Sequence, residues 1–239
     1  MLKKILKMSQ TELFDYCIKK LKEKYTNIVI PEKKEFIAAK GDIPILLVAH
    51  LDTVFEDSNR KHISIYQDKE NGVLWSPDGL GTDDRAGVAM ILALIDSGYR
   101  PHILFTTDEE TMATGAVAVC NKKNELFGKV SYVIELDRQG YQECVFYDCN
   151  NTDFQKLIEG YGFITKEGTF TDISVFCPNW GIAGVNLSVG YIYEHSYIEH
   201  FFVGAWKYTY KKVCEMLEDK EVYKVIWKYI PKQKIDIKE

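Results

Sequence analysis

The strongest constraint on this chain is a set of short apolar runs, each ending in acidic residues or histidine. Residues 44–49 (PILLVA), 102–105 (HILF), 130–136 (VSYVIEL) and 182–189 (IAGVNLSV) are short and show no wet-face alternation, so they read as strands covered on both sides. Stretches of helical periodicity separate them. That alternation predicts a three-layer α/β/α fold around a mixed, mostly parallel sheet. Sheets of this kind bind ligands beyond the carboxyl ends of their strands. The run that begins at His102 leads there into Asp108-Glu109-Glu110, three carboxylates that repel one another unless a cation or water screens them. Taken alone, such a triplet is more often a solvated loop, because acidic residues are mostly exposed.

Ser9-Gln10-Thr11-Glu12 fits a capping box for a first helix, whose apolar positions Leu13, Tyr16, Cys17, Leu21 and Tyr25 recur at helical spacing. Short strands follow at 27–30 and 35–39, and a hairpin at 63–67 and 72–75. A helix over 85–97 is closed by Gly98. Beyond the central run come a helix at 115–122, a strand at 144–147, a helix at 152–161 and a short helix at 172–177 stopped by Pro178. An aromatic helix over 199–218 carries Phe202, Trp206, Tyr210 and Val213 on one face. The end of the chain carries Val222, Val225, Ile226 and Trp227 before a Lys-rich tail, and is expected to pack in part and fray. His50 to Asp83 spans 33 residues and Asp137 to His195 spans 58, all filled by these elements. The expectation is one catalytic domain over 1–239, with no inserted lid or dimerisation domain and a peripheral tail at 219–239.

A chain of 239 residues with 46% hydrophobic side chains can bury a substantial core, and a net charge of -5 gives no electrostatic footprint for nucleic acid. The six cysteines show no CxxC pair and read as reduced core thiols. The amino end starts like a signal n-region, but Lys7, Gln10, Glu12 and Asp15 interrupt any apolar stretch, and no membrane span is evident, so the cytoplasm is the expected location. Gly79-Leu80-Gly81 does not extend to a nucleotide fingerprint, since Asp84 occupies the place of the third glycine.

His50 with Asp52, Glu109 with Glu110, Asp137 and His195 all fall at strand ends, and Asp83 opens a helix between the first two. Imidazole and carboxylate donors without thiolate suit zinc, manganese or cobalt. The motifs are HLD at 50–52, GTDDRAG at 81–87, TDEE at 107–110, ELD at 135–137 and EHSYIE at 194–199. In that order, across about residues 44–200, they resemble the co-catalytic metallopeptidases of clan MH, the aminopeptidase and carboxypeptidase superfamily with paired zinc ions.

The resemblance implies a zinc-dependent exopeptidase fold of the simple aminopeptidase branch. It also implies two divalent ions, zinc or else manganese or cobalt, with Asp83 bridging, His50 and Asp137 completing one site, and Glu110 and His195 the other. Glu109 would be the general base for a water activated by the ions, and Asp52 the carboxylate that orients His50. Asp84 competes with Asp83, which the family pattern favours as the first acid before the basic residue. His195 is preferred over His200 because His-Ser-x-x-Glu is similar to the last ligand motif. His62 and His102, at strand starts, read as structural.

Substrate-binding candidates are Arg138, Asp172, Tyr191 and Tyr193. Arg138 could clamp a substrate carboxylate or pair with a loop acid. Asp172 could hold a substrate ammonium, although capping its own helix is favoured. The tyrosines could line a specificity pocket or belong to core and rim. The expected function is a metal-dependent exopeptidase, an aminopeptidase of short peptides. The alternatives are an amidohydrolase or deacylase of small N-acyl substrates and an inactive metal-binding or structural homologue. The expected partner is a short peptide or small amide, not nucleic acid or membrane, with the oligomeric state open.

Overall fold

A computed structural model describes residues 1–232, and in it the apolar runs form the centre of an eight-stranded sheet. In chain order, β1 (Ile28–Val29), β2 (Phe36–Ala39) and β3 (Ile43–His50) belong to that sheet, while β4 (Tyr66–Asp68) and β5 (Val73–Trp75) begin a second one. The chain returns to the first sheet with β6 (Pro101–Thr106), β7 (Tyr132–Arg138), β8 (Glu143–Val145), β9 (Ile164–Thr165) and β10 (Gly184–Ser188). It completes the second, four-stranded sheet with β11 (Tyr191–Ile192) and β12 (His200–Phe202). The large sheet is ordered β1-β2-β6-β3-β7-β10-β8-β9. Its centre, β6, β3, β7 and β10, is parallel, and β2 and β8 pair antiparallel against it.

Both faces are covered, as the unbroken apolar runs require. The neighbours Leu46 and Leu47 point to opposite cores, as do Ile103 and Leu104 on β6 and Val133 and Ile134 on β7. One core includes side chains from the helices Gln10–Lys22, Thr82–Asp96 and Val203–Glu218, and the other from Thr114–Val119 and Asp172–Trp180. Helix Thr82–Asp96 is buried along nearly its whole length, and a Cβ at Gly87 would stand 2.1 Å from the Leu136 carbonyl oxygen of β7. The helix can lie so close to the sheet only because that position has no side chain. Register then brings the functional ends together. His50 pairs with Thr106 and Val48 with Glu135, so β3, β6 and β7 finish side by side.

Several boundaries differ from the sequence reading. Pro178 does not stop its helix, which continues to Trp180 and closes at Gly181 with φ of 64°. A proline this near the end forfeits a single helical hydrogen bond, and glycine supplies the true stop. Residues 200–202 are not helical but form β12, which pairs with β5 and β11, and the aromatic helix starts at Val203. His62 closes a 3-10 turn, Asp57–His62, and does not start a strand. His102 is structural, with Nδ1 accepting from the Gly41 N–H at 3.1 Å and Nε2 3.0 Å from the Lys129 carbonyl. Past the helix Lys220–Lys224, bridges from Lys228 to Ile182 and from Pro231 to Cys149 tie the chain end to the body. The expected fraying of the Lys-rich end falls on residues 233–239, outside the described residues. Among the described residues, no helix is long and apolar enough to cross a membrane.

Two fully buried arginines fasten the amino end. Arg60 donates to the Leu6 carbonyl at 2.7 and 3.1 Å, to that of Gly79 at 3.1 Å and to that of Leu80 at 2.5 Å. Arg85 donates to the carbonyls of Ile5 and Met8. Arg60 therefore joins the first turn of the chain to the loop that leads into helix Thr82–Asp96. Replacing it by methionine keeps volume but leaves three buried carbonyls without a donor, each costing about 1–3 kcal/mol. Arg60→Met should lower stability by about 3 kcal/mol or more and Tm by about 6 °C or more in thermal unfolding. An unchanged Tm would contradict this role.

Candidate metal centre

Five side chains converge where β3, β6 and β7 end. His50 is the last residue of β3, and Asp137 lies near the end of β7. Asp83 starts the helix after the Gly79–Gly81 turn, Glu110 lies in the one-turn helix Glu109–Met112 after β6, and His195 is on the loop between β11 and β12. His50 Nε2 lies 3.2 Å from Asp83 Oδ1 and 3.6 Å from Asp137 Oδ1. His195 Nε2 lies 3.0 Å from Asp83 Oδ2 and 3.0 Å from Glu110 Oε2. The donors thus form two groups, His50-Asp83-Asp137 and Asp83-Glu110-His195, which share Asp83 and give each histidine a different oxygen of its carboxylate. Donors about 2.0–2.1 Å from a tetrahedral zinc stand about 3.3–3.4 Å from one another. The observed spacings bracket that value, and the donor set is one that zinc, manganese or cobalt accepts. Both groups therefore fit a divalent cation.

The acidic triplet splits three ways. Asp108, in a left-handed conformation at φ of 58°, turns away and accepts from the Gln10 side chain at 3.2 Å. Glu109 lines the pocket, and Glu110 faces His195. Asp83 and Asp84 divide in a similar way. Asp84 is fully buried, accepting from the His50 N–H at 3.2 Å and the Gly87 N–H at 3.1 Å, and belongs to neither donor group. His200 lies apart as well, stacked near Trp75 with ring centroids 6.5 Å apart.

Behind the donors stands a layer of buried partners. Asp52 touches both groups: Oδ2 accepts from the Glu110 N–H at 3.0 Å, and Oδ1 lies 3.3 Å from His50 Nδ1, within ion-pair reach but off the hydrogen-bond line. Asp137 is held by Thr171 Oγ1 at 3.2 Å, by Tyr191 OH at 2.9 Å and through its main chain by Asn186, whose amide makes two bonds of 2.9 Å. Glu199 holds the Asp83 turn. Its carboxylate accepts from the N–H groups of Gly81 at 2.6 Å, Thr82 at 2.9 Å and Asp83 at 3.2 Å, and from the Thr82 hydroxyl. These are orphan donors of a helix start whose own cap, Gly81, has no side chain, so the cap is supplied from 116–118 residues away.

Sequence reasoning assigned no role to Asn186, Thr171 or Glu199. Asn186 had a signal, a polar side chain inside the run Val185-Asn186-Leu187, and it is 1% exposed. Glu199 stood inside a quoted motif, but nothing local to it reveals a partner so distant in sequence.

So many carboxylates in one buried place disturb each other. Burial, then repulsion from Asp137, Glu110 and Asp83 against the pull of His50, drives the Glu109 carboxyl up to about 8. Burial and Asp83 raise Asp137 to about 7. Bonds to Asp83 and Glu110 raise His195 to about 11. Burial also acts to raise Asp83, but its contacts with His195 and His50 outweigh that and leave it well below the ordinary range. A cation among these groups would answer the same repulsion while keeping the carboxylates ionised and the imidazoles neutral.

The pocket over the centre has a volume of about 200 Å³ and is lined by Glu109, Arg138, Tyr191 and His195 among others. Arg138 lies on its wall with a buried, unpartnered Nε, and among the described residues it forms no ion pair with a loop acid. Tyr191 is 2% exposed and reaches the pocket as the Asp137 partner described above. Two expectations need correction. Asp172 neither caps its helix nor lines the pocket: the cap is Thr171, reciprocated by Ser174, and the Asp172 carboxylate is sealed below, accepting from Thr106. Tyr193 points outward at 58% exposure and does not line the pocket.

A model of "Peptidase family M20/M25/M40" matches residues 46–218, and these contain all five donors. No curated protein matches the chain in sequence. Among solved structures, the aminopeptidase PepT of Bacillus cereus ATCC 10987 is similar at 14% identity, covering 92% of this chain and 96% of that one with a TM-score of 0.71. A tripeptidase of Staphylococcus aureus subsp. aureus mu50 is similar at 13% identity, with 94% and 97% coverage and a TM-score of 0.73. A TET aminopeptidase of the marine sediment archaeon Thaumarchaeota archaeon SCGC AB-539-E09 gives 11%, 89%, 93% and 0.67 for the same quantities. At such identities the likeness is one of fold.

The Glu199 brace gives an expected outcome. In Glu199→Gln the side-chain amide turns a donor toward main-chain N–H groups, loosening the Asp83 turn. Zinc affinity, measured by competition with a chromogenic chelator, should fall about 10–100-fold. Wild-type affinity in that variant would show that the brace does not act on Asp83.

Proposed function

This chain belongs to peptidase family M20/M25/M40, and on that premise we propose that it is a metal-dependent aminopeptidase of short peptides, working with two divalent cations, most simply zinc. The observation that carries the reading is the divided carboxylate of Asp83, one oxygen toward His50 and the other toward His195. His50, Asp83 and Asp137 would hold one ion, and Asp83, Glu110 and His195 the other. When bound, the ions supply Lewis-acid polarisation of the scissile carbonyl and acidify water to near neutrality.

The chain's own residues do the rest. Glu109 lines the pocket beside Glu110 without belonging to either donor group, so its carboxylate is free to take a proton from the attacking water and pass it to the leaving amine. Asp52 stands 3.3 Å from the His50 ring nitrogen and accepts from the Glu110 main chain, so one carboxylate links the two groups. Tyr191 and Thr171 do the same for Asp137. Arg138, the cation on the pocket wall, would hold the carboxylate end of the substrate. That contact, together with the small volume, supports short peptides. All six cysteines are free, which suits a reducing cytoplasm.

Glu109→Gln should retain the metal of the wild type, measured by elemental analysis, yet lose about 10²–10⁴-fold in kcat. His195→Ala should lose metal. Arg138→Ala should raise KM for tripeptides about tenfold or more and leave their C-terminal amides unaffected. Undiminished turnover in Glu109→Gln would refute the mechanism. Turnover confined to N-acyl amino acids would replace the peptidase by a deacylase, and turnover of neither class would leave a metal-binding homologue.

A further inference from the structure

A second cavity of about 230 Å³ adjoins the first, and the two share Tyr147, Thr169 and Phe170 as common wall. Its floor is apolar and buried, with Phe146 just past β8 and Ile173 and Cys177 on the helix Asp172–Trp180, while Asp148, Thr169 and Ser174 add polar atoms to its wall. Two glycines let its wall pack closely. A Cβ at Gly184 would stand 2.8 Å from Cys177 Sγ, and one at Gly168 would stand 2.8 Å from a Val145 methyl. Phe170, on the shared wall, is 55% exposed. An aromatic ring left so open, between the pocket over the metal centre and a cavity with an apolar floor, is a surface that a ligand can cover. The cavity is smaller than the roughly 300–1,000 Å³ of whole-ligand pockets, so it suits one side chain of something held next door.

We propose that this cavity is the specificity pocket of the enzyme, receiving one large apolar or aromatic side chain of the peptide whose backbone lies at the metal centre, with Phe170 as the ring it slides past. The inference rests on the peptidase reading and deepens it. The role of Phe170 follows from its place on both walls. Tyr147 is fixed there by its hydroxyl, which accepts from Asn186 at 3.1 Å, so the partition between the cavities is tied to the same asparagine that holds Asp137. A peptide that fills the cavity is thereby held against a wall whose position is coupled to a donor of the centre.

The test is a panel of alanyl, leucyl and phenylalanyl anilides and the matching dipeptides, with the metal-loaded enzyme. Burial of the larger side chains should raise kcat/KM for leucyl and phenylalanyl substrates about 10–100-fold over alanyl. Cys177→Phe, which fills the floor, should reduce that ratio at least tenfold. Phe170→Ala, on an exposed position that folding does not require, should reduce it as well. Calorimetric binding of free L-phenylalanine, which needs no turnover, should weaken in both variants. A wild-type preference for alanyl substrates, or ratios unchanged in both variants, would overturn the pocket while leaving the peptidase standing. Turnover of no peptide at all would overturn both.

Discussion

Everything about this molecule answers to one electrostatic problem: Asp52, Asp83, Asp84, Glu109, Glu110 and Asp137 are gathered into one partly or wholly buried place, with Glu135 and Asp172 directly beneath. Mutual repulsion would push such an assembly apart in a flexible chain. Here the acids come from separate segments, Asp52 after β3, Asp83 and Asp84 at a helix start, Glu109 and Glu110 in the short helix after β6 and Asp137 near the end of β7, and the sheet fixes those ends at the distances given by β-pairing. The central strands are parallel, so their carboxyl ends lie on one edge, and that edge is where the charge collects. A buried core on both faces supplies the cohesion that holds the arrangement.

Most of the frame was legible in the amino-acid sequence because it rests on periodicity. The unbroken runs at 44–49, 102–105 and 130–136 announce strands buried on two sides, and the residues that close them point to the chemistry. What was hidden depends on tertiary partners. Residues 200–202 looked like the start of an aromatic helix, but pairing with β5 and β11 outweighs a propensity that is weak at a helix end. Pro178 looked like a stop, yet the helix tolerates it in the last turn. Asp172 offered a cap in a position where Thr171 already provides one. The roles of Glu199 and Thr171 come from contacts more than 30 residues apart in the chain, which no local pattern encodes.

The acids also divide by purpose in a way that composition cannot reveal. Asp83 faces the site and its neighbour Asp84 the protein, while Glu109 and Glu110 both face the site and Asp108 turns away from it. Arg60 and Glu199 work the same short turn from opposite sides, the guanidinium collecting its carbonyls and the carboxylate its amides. Both charges are buried, and each is satisfied by main-chain groups. The turn that presents Asp83 is therefore held at both ends of its peptide dipoles.

The two donor groups differ in their access to water. The His50 side chain is 2% exposed, whereas that of His195 is 50% exposed on a loop residue with φ of 61°. Asp83 stands between them with an oxygen toward each. The other four donor side chains are no more than 10% exposed and sit at strand ends and helix starts, so a shift of the one loop that carries His195 would alter one donor group and leave the other in place.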